Sequence, residues 1–117
     1  MSEPSAALDP EDAKLVTLAR SVRARSGAAE GAALRDTTGR TYTAATVAMA
    51  NLRLSAVLAA LAAAVSSGAD GIEAVAVVTD ATALNDSDRA AVAELGGAGT
   101  PVLIAGIDGV VRSTVRV

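Results

Sequence analysis

Apolar positions divide the chain into eight segments, and their spacing separates helices from strands. Leu15, Leu18 and Val22 fall on one face of a stretch with Lys14, Arg20, Arg23 and Arg25 elsewhere, which predicts an amphipathic surface helix. Asp9-Pro10-Glu11-Asp12 supplies its start: an N-cap, a proline at the first helical position and acids in the first turn. Gly27 supplies its end. Gly31–Asp36 and Arg40–Val47 read as two strands joined by Thr37-Thr38-Gly39, a hairpin connection. Leu54–Val65 (LSAVLAALAAAV) has Ser55 as its only polar residue, so it predicts a helix with no side meant for water, wrapped by the other elements.

The second half follows the same logic. Gly71–Asp80 carries an apolar, β-branched run of the length of a strand buried on both faces. Asp86–Leu95 predicts a second covering helix, stopped by Gly96-Gly97. Pro101–Ala105 reads as another buried strand, and Asp108-Gly109 turns it into Val110–Val117. In that last strand Arg112 and Arg116 are expected on one face and Val111, Val115 and Val117 on the other. The order is α-β-β-α-β-α-β-β, which predicts an α/β fold: a five-stranded mixed sheet with helices on both faces, in three layers. Residues 1–8 are expected to be a flexible tail and residues 9–117 a single domain.

Composition narrows the function classes. The core is built from alanine, valine and leucine, with no phenylalanine or tryptophan in 117 residues. Small side chains bury less apolar area each, at roughly 25 cal/mol per Å², so a homo-oligomer, dimer or tetramer, is expected to bury more between subunits. A net charge of −3 argues against a nucleic-acid binder, which would normally show a basic face. No apolar run reaches the roughly 18 residues of a membrane span. The N-terminus is acidic and rich in small residues rather than basic then apolar, so no signal peptide and a cytoplasmic location are expected. The chain has neither cysteine nor histidine, which removes disulfides, thiol and histidine chemistry, and the ordinary ligands of zinc.

Several strings, in order and over roughly Asp9 to Val115, resemble the cytidine deaminases. EGAALRDTTGRTYTAATV is similar to that family's first hairpin, where a Val-Gly-Ala-Ala-Leu string precedes a glycine turn. LSAVLAALAAAV falls where the family has its Cys-Ala-Glu-Arg helix, IEAVAVVTD resembles its third strand, and DRAAVAEL its Cys-Arg-Gln-Val-Leu-x-Glu-Leu helix. The resemblance implies the family's three-layer sandwich and a tetramer with helices packed across subunits. It also implies a zinc held by a Cys or His on one helix and by Pro-Cys-x-x-Cys on the next, with a glutamate moving protons.

Residue by residue, the resemblance denies that chemistry. The first ligand position falls on Ser55 and the glutamate on Val57; Pro-Cys-x-x-Cys falls on Leu84, Asn85 and Asp88. The nucleoside-binding Asn-x-Glu falls near Thr46-Val47-Ala48, and the loop after it is about two residues shorter than the family's. A valine transfers no proton. No cofactor is expected, although the family implies zinc.

Several readings of these positions stay open. Ser55, Asn85 and Asp88 are expected to converge, either as an oxygen-ligand site for a hard ion or as helix caps, and the capping reading is preferred. In it Asn85 caps the second helix, Asp88 reaches back to the cap backbone, and Ser55 bonds the carbonyl one turn back. The space around them holds water, takes a small anion at the two helix N-termini, or is filled by Val57 and Leu84; filling is preferred. Arg53 and Arg89 read as surface or interface ion-pair residues, Arg53 being also a candidate phosphate contact, and Tyr42 as a strand residue packing on its neighbour. The expected function is a catalytically inactive, oligomeric binding or scaffold module. The alternatives are a residual cytidine or nucleoside deaminase, a hydrolase of an amidine C–N bond, and a nucleoside or nucleotide sensor without chemistry.

Overall fold

A computed structural model describes residues 8–117. Helix α1 (Pro10–Ser26) leads into strands β1 (Gly31–Asp36) and β2 (Thr41–Ala45). A small hairpin of β3 (Val47–Ala48) and β4 (Arg53–Leu54) follows, then α2 (Ala56–Ser66) and β5 (Ile72–Val78). Helix α3 (Asp86–Gly96), β6 (Pro101–Ala105) and β7 (Val111–Arg116) complete the chain. The five long strands form one sheet in the order β2-β1-β5-β6-β7. Only β5 and β6 run parallel, with α3 as the crossover between them, so the sheet is mixed as expected.

The pleat explains the three layers. In β1, Ala32 and Leu34 enter the core beneath α2 and α3, while Ala33 enters the core beneath α1. In β6, Val102 and Ile104 point one way and Leu103 and Ala105 the other. Leu15, Val16 and Ala19 close the α1 side. The small residues Ala33, Ala74 and Ala76 let α1 lie close to the sheet.

Local signals account for most boundaries. The Asp9 side chain accepts from the Glu11 N–H at 2.7 Å, and Gly27 (φ 68°) ends α1 with its N–H on the Arg23 carbonyl at 2.9 Å. Arg35 ties α1 to the sheet through Asp12 (3.0 Å) and Glu73 (2.8 Å).

Residues 1–7 of the expected tail lie outside the described residues, and Leu8 is half-buried against the α1-side core. Four expectations are corrected. The strand expected over Arg40–Val47 breaks at Thr46, because the Thr46 side chain and N–H bond the backbone of Glu30 and turn the chain into β3. The β3–β4 hairpin is added there, its two-residue strands too short for a period to register. Val111 packs on the α1 side while Val115 and Val117 pack on the α2 side, because the pairing shifts between Ile104 and Ala105 and leaves Arg112 out of the ladder. Finally α2 is not wrapped on all sides by the other elements of the chain: Val65 is 56% exposed.

Asp36 holds the first hairpin. Its carboxylate accepts from the Thr38 N–H (2.9 Å) and hydroxyl (2.8 Å), the Arg40 N–H (2.9 Å) and the Tyr42 hydroxyl (3.2 Å). Tyr42 is thus a donor to the turn as well as a packing residue. Burial pushes the Asp36 pKa up, but the bonds from Thr38, Arg40 and Tyr42 outweigh it and hold it below the ordinary value of 3.8. A depressed folded pKa contributes stability above the unfolded value that is lost as pH falls through the folded one. Asp36→Asn is therefore expected to lower the urea midpoint at pH 7 and to narrow the gap to wild type below about pH 4. Denaturation curves that stay parallel from pH 7 to 3 contradict this.

Candidate functional site

The starts of α2 and α3 meet at the end of β5. Ser55 stands one residue before α2, with extended φ and ψ of −64° and 161°, and its Oγ accepts from the Leu58 N–H at 3.1 Å. Asn85 does the same for α3, its Oδ1 accepting from the Asp88 N–H at 2.8 Å. Each cap satisfies a donor that the helix leaves free in its first turn. Between them the Ser55 hydroxyl donates to Asp88 Oδ1 at 2.7 Å. Ser55, Asn85 and Asp88 thus converge as expected from the sequence.

Two of the local roles differ from expectation. Ser55 does not bond back one turn, because the helix begins after it and its oxygen is needed by the first turn. Asp88 does not reach back to the Asn85 backbone; its carboxylate turns to Ser55, the donor that α2 places opposite.

Beside this contact lies a recess of about 120 Å³, lined on its polar side by Glu30, Thr79, Asn85 and Asp88 and on its apolar side by Leu84 and Ile104 among others. Thr79 donates to Glu30 Oε2 at 2.8 Å and accepts from the Ala81 N–H at 3.0 Å, which fixes the Glu30 carboxylate at the wall. Asp88 is only 4% exposed. Burial raises its pKa above the ordinary value, the Ser55 bond pulls it back, and the Glu30 charge adds to the rise.

The remaining sequence candidates are dispersed. Val57 is fully buried in the core between α2 and the sheet and does not line the recess, so the expected filling by Val57 and Leu84 is corrected. Val57 points into the sheet-side core, and Leu84 alone borders the space. Thr46 bonds the Glu30 backbone, while Ala48, Arg53 and Arg89 are exposed and none of the four lines the recess. Glu30 and Thr79 were not singled out from the sequence. Glu30 left a signal: it is a carboxylate in EGAAL where the resembling string has valine. Thr79 left none, being one more β-branched residue after an apolar run.

The donor set does not fit zinc. Sulfur and imidazole nitrogen are the ligands the resemblance implies, and the chain has no cysteine or histidine to supply them. The oxygens present each already accept a hydrogen bond: Asp88 Oδ1 from Ser55, Glu30 Oε2 from Thr79, and Asn85 Oδ1 from the α3 backbone. Among the described residues no three acidic, cysteine or histidine side chains are grouped to hold an ion.

This architecture, with two helix starts meeting over one end of a five-stranded sheet, places the chain in a class. The cytidine deaminase-like family model matches residues 8–109, and the chain belongs to that family. Among solved structures it is similar to the cytidine deaminase of Burkholderia pseudomallei, with 26% identity over 88% of this chain and 90% of that one, at a TM-score of 0.77. It is 27% identical to the cytidine deaminase of Mycobacterium tuberculosis over 82% of this chain and 85% of that one, at a TM-score of 0.67. The Mycobacterium leprae enzyme, 22% identical over 88% and 90% at a TM-score of 0.72, shares the fold. No curated protein matches the chain.

Proposed function

We propose that this chain is a catalytically inactive member of its family, working as an oligomeric binding or scaffold module in the cytoplasm. The observation that carries the reading is the direct Ser55–Asp88 hydrogen bond at 2.7 Å, formed between the two helix starts where the resemblance implies metal ligands. Val57, at the position of the proton-moving glutamate, supports it as a buried core residue. The readings as a residual deaminase or nucleoside sensor have less support. Pockets for ligands of that size usually enclose about 300–1,000 Å³, and the recess has about 120 Å³ with two carboxylates in its wall.

The module's surface lies on α2 and α3. An apolar groove of about 600 Å³ runs between them, lined by Leu54, Leu58, Leu61, Val65, Ala91 and Leu95, with Glu94 also in its wall. Val65 is 56% exposed at the end of α2, and neither terminal turn of that helix carries a charge. Such a face suits helix packing against a second copy of this chain, in which Ala62 allows close approach. Among the described residues no helix is long and apolar enough to cross a membrane.

Sedimentation velocity tests the reading. Wild type is expected as a dimer or tetramer at micromolar concentration, and Val65→Asp as a folded monomer with an unchanged far-UV spectrum. A monomeric wild type overturns the assembly role.

A further inference from the structure

We infer that the Ser55–Asp88 hydrogen bond takes over the joining role that the family's metal implies, so that the starts of α2 and α3 are fastened by a metal-free polar clasp. The inference deepens the inactive reading and rests on it in one respect, that no ion bridges the two helices.

The geometry has three parts. Each helix start is capped by its own side chain, Ser55 on α2 and Asn85 on α3, each satisfying one backbone donor of the first turn without a metal-ligated loop. The cap of one helix is also the donor to the first turn of the other: the same Ser55 Oγ accepts from Leu58 N–H and gives its proton to Asp88. A hydroxyl used as donor and acceptor at once is held in one rotamer, and it fixes the two helices relative to each other. Third, the contact is sheltered on the Asp88 side, Asp88 being 4% exposed and Ser55 half-buried, so loss of the bond leaves a buried carboxylate acceptor without this partner.

Within the recess, the charges are Asp88 and Glu30. Glu30, on the chain entering β1, faces Asp88 across the recess, and its own oxygen is bonded to Thr79. The lining residues include no cation. Asparagine at position 88 keeps an acceptor for the Ser55 hydroxyl and removes the charge that Glu30 opposes.

A double-mutant cycle on the full chain tests the clasp. Urea unfolding at pH 7 is measured for wild type, Ser55→Ala, Asp88→Ala, the double variant and Asp88→Asn, each with EDTA and with added zinc; metal content is read by mass spectrometry. Ser55→Ala is expected to lower the folding equilibrium constant about 10- to 100-fold in the wild-type background. In the Asp88→Ala background that loss shrinks by about tenfold, leaving only the cost of the lost α2 cap. Asp88→Asn is expected to hold its midpoint at or above wild type. EDTA and zinc leave all midpoints in place, and the metal content is substoichiometric. An additive cycle overturns the clasp while leaving the inactive reading intact. Stoichiometric metal whose removal lowers the midpoint overturns both. Uridine formation by a metal-free protein with a coupled cycle overturns the inactive reading alone.

Discussion

Val57→Glu unfolds this protein rather than restoring an active site. The substitution places a carboxyl group at a fully buried position among Ala32, Leu61, Val75 and the rest of the core beneath α2, with the polar recess walled by other residues. An unpaired carboxylate cannot stay charged there, and even the neutral acid lacks a hydrogen-bond partner, at a cost of several kcal/mol. Added volume increases the loss in a core already packed with small residues. Against a total stability of about 5–15 kcal/mol for a domain, a loss of about 4 kcal/mol or more takes the chain close to its limit. Val57→Ala, which only opens a cavity, is expected to cost about 2 kcal/mol. Circular dichroism melts rank the two. A Val57→Glu protein melting within a few degrees of wild type would show that the side chain reaches the recess and that Val57 is not a core residue.

The other large effect is at Gly31, the first residue of β1. A Cβ built there overlaps the Ala19 carbonyl oxygen and comes within 2.8 Å of the Arg23 Cβ and 2.9 Å of its backbone nitrogen. The obstacles are helix backbone, not the far end of a flexible chain, so α1 must lift off the sheet for even one methyl group. The core of Leu15, Val16 and Ala19 on Ala33 and Ala76 then opens with it. Gly31→Ala is expected to cost about 3 kcal/mol and to lower the melting temperature by more than about 10 °C in a domain of this size. A shift of a degree or two would mean that α1 is loosely held.

How far the sequence showed this structure depends on the scale of the signal. Elements of five or more residues with a clear period were legible, because caps such as Asp9 and stops such as Gly27 act within one turn. Hydrogen bonds spanning longer separations were not. Thr46 breaks a strand by bonding Glu30, 16 residues away, and nothing local marks it. The bulge at Arg112 flips Val111 to the opposite face through pairing with β6, which a period-two pattern in β7 alone cannot report. At the site, the convergence of Ser55, Asn85 and Asp88 was legible from the resemblance. The direction of the Asp88 carboxylate was not, because its partner comes from another helix, 33 residues away in the chain. Glu30 stood in plain view as an acid in an apolar string, and only the fold shows that it faces Asp88.

The proposed inactivity is tested most directly on cytidine itself. Purified protein, with and without added zinc, is incubated with cytidine at neutral pH, and uridine is followed by chromatography against a buffer blank. The account predicts no uridine above the blank in either condition, since no side chain at the two helix starts offers zinc a sulfur or imidazole and Val57 offers no proton. Zinc-dependent uridine formation that disappears in Asp88→Ala would contradict it.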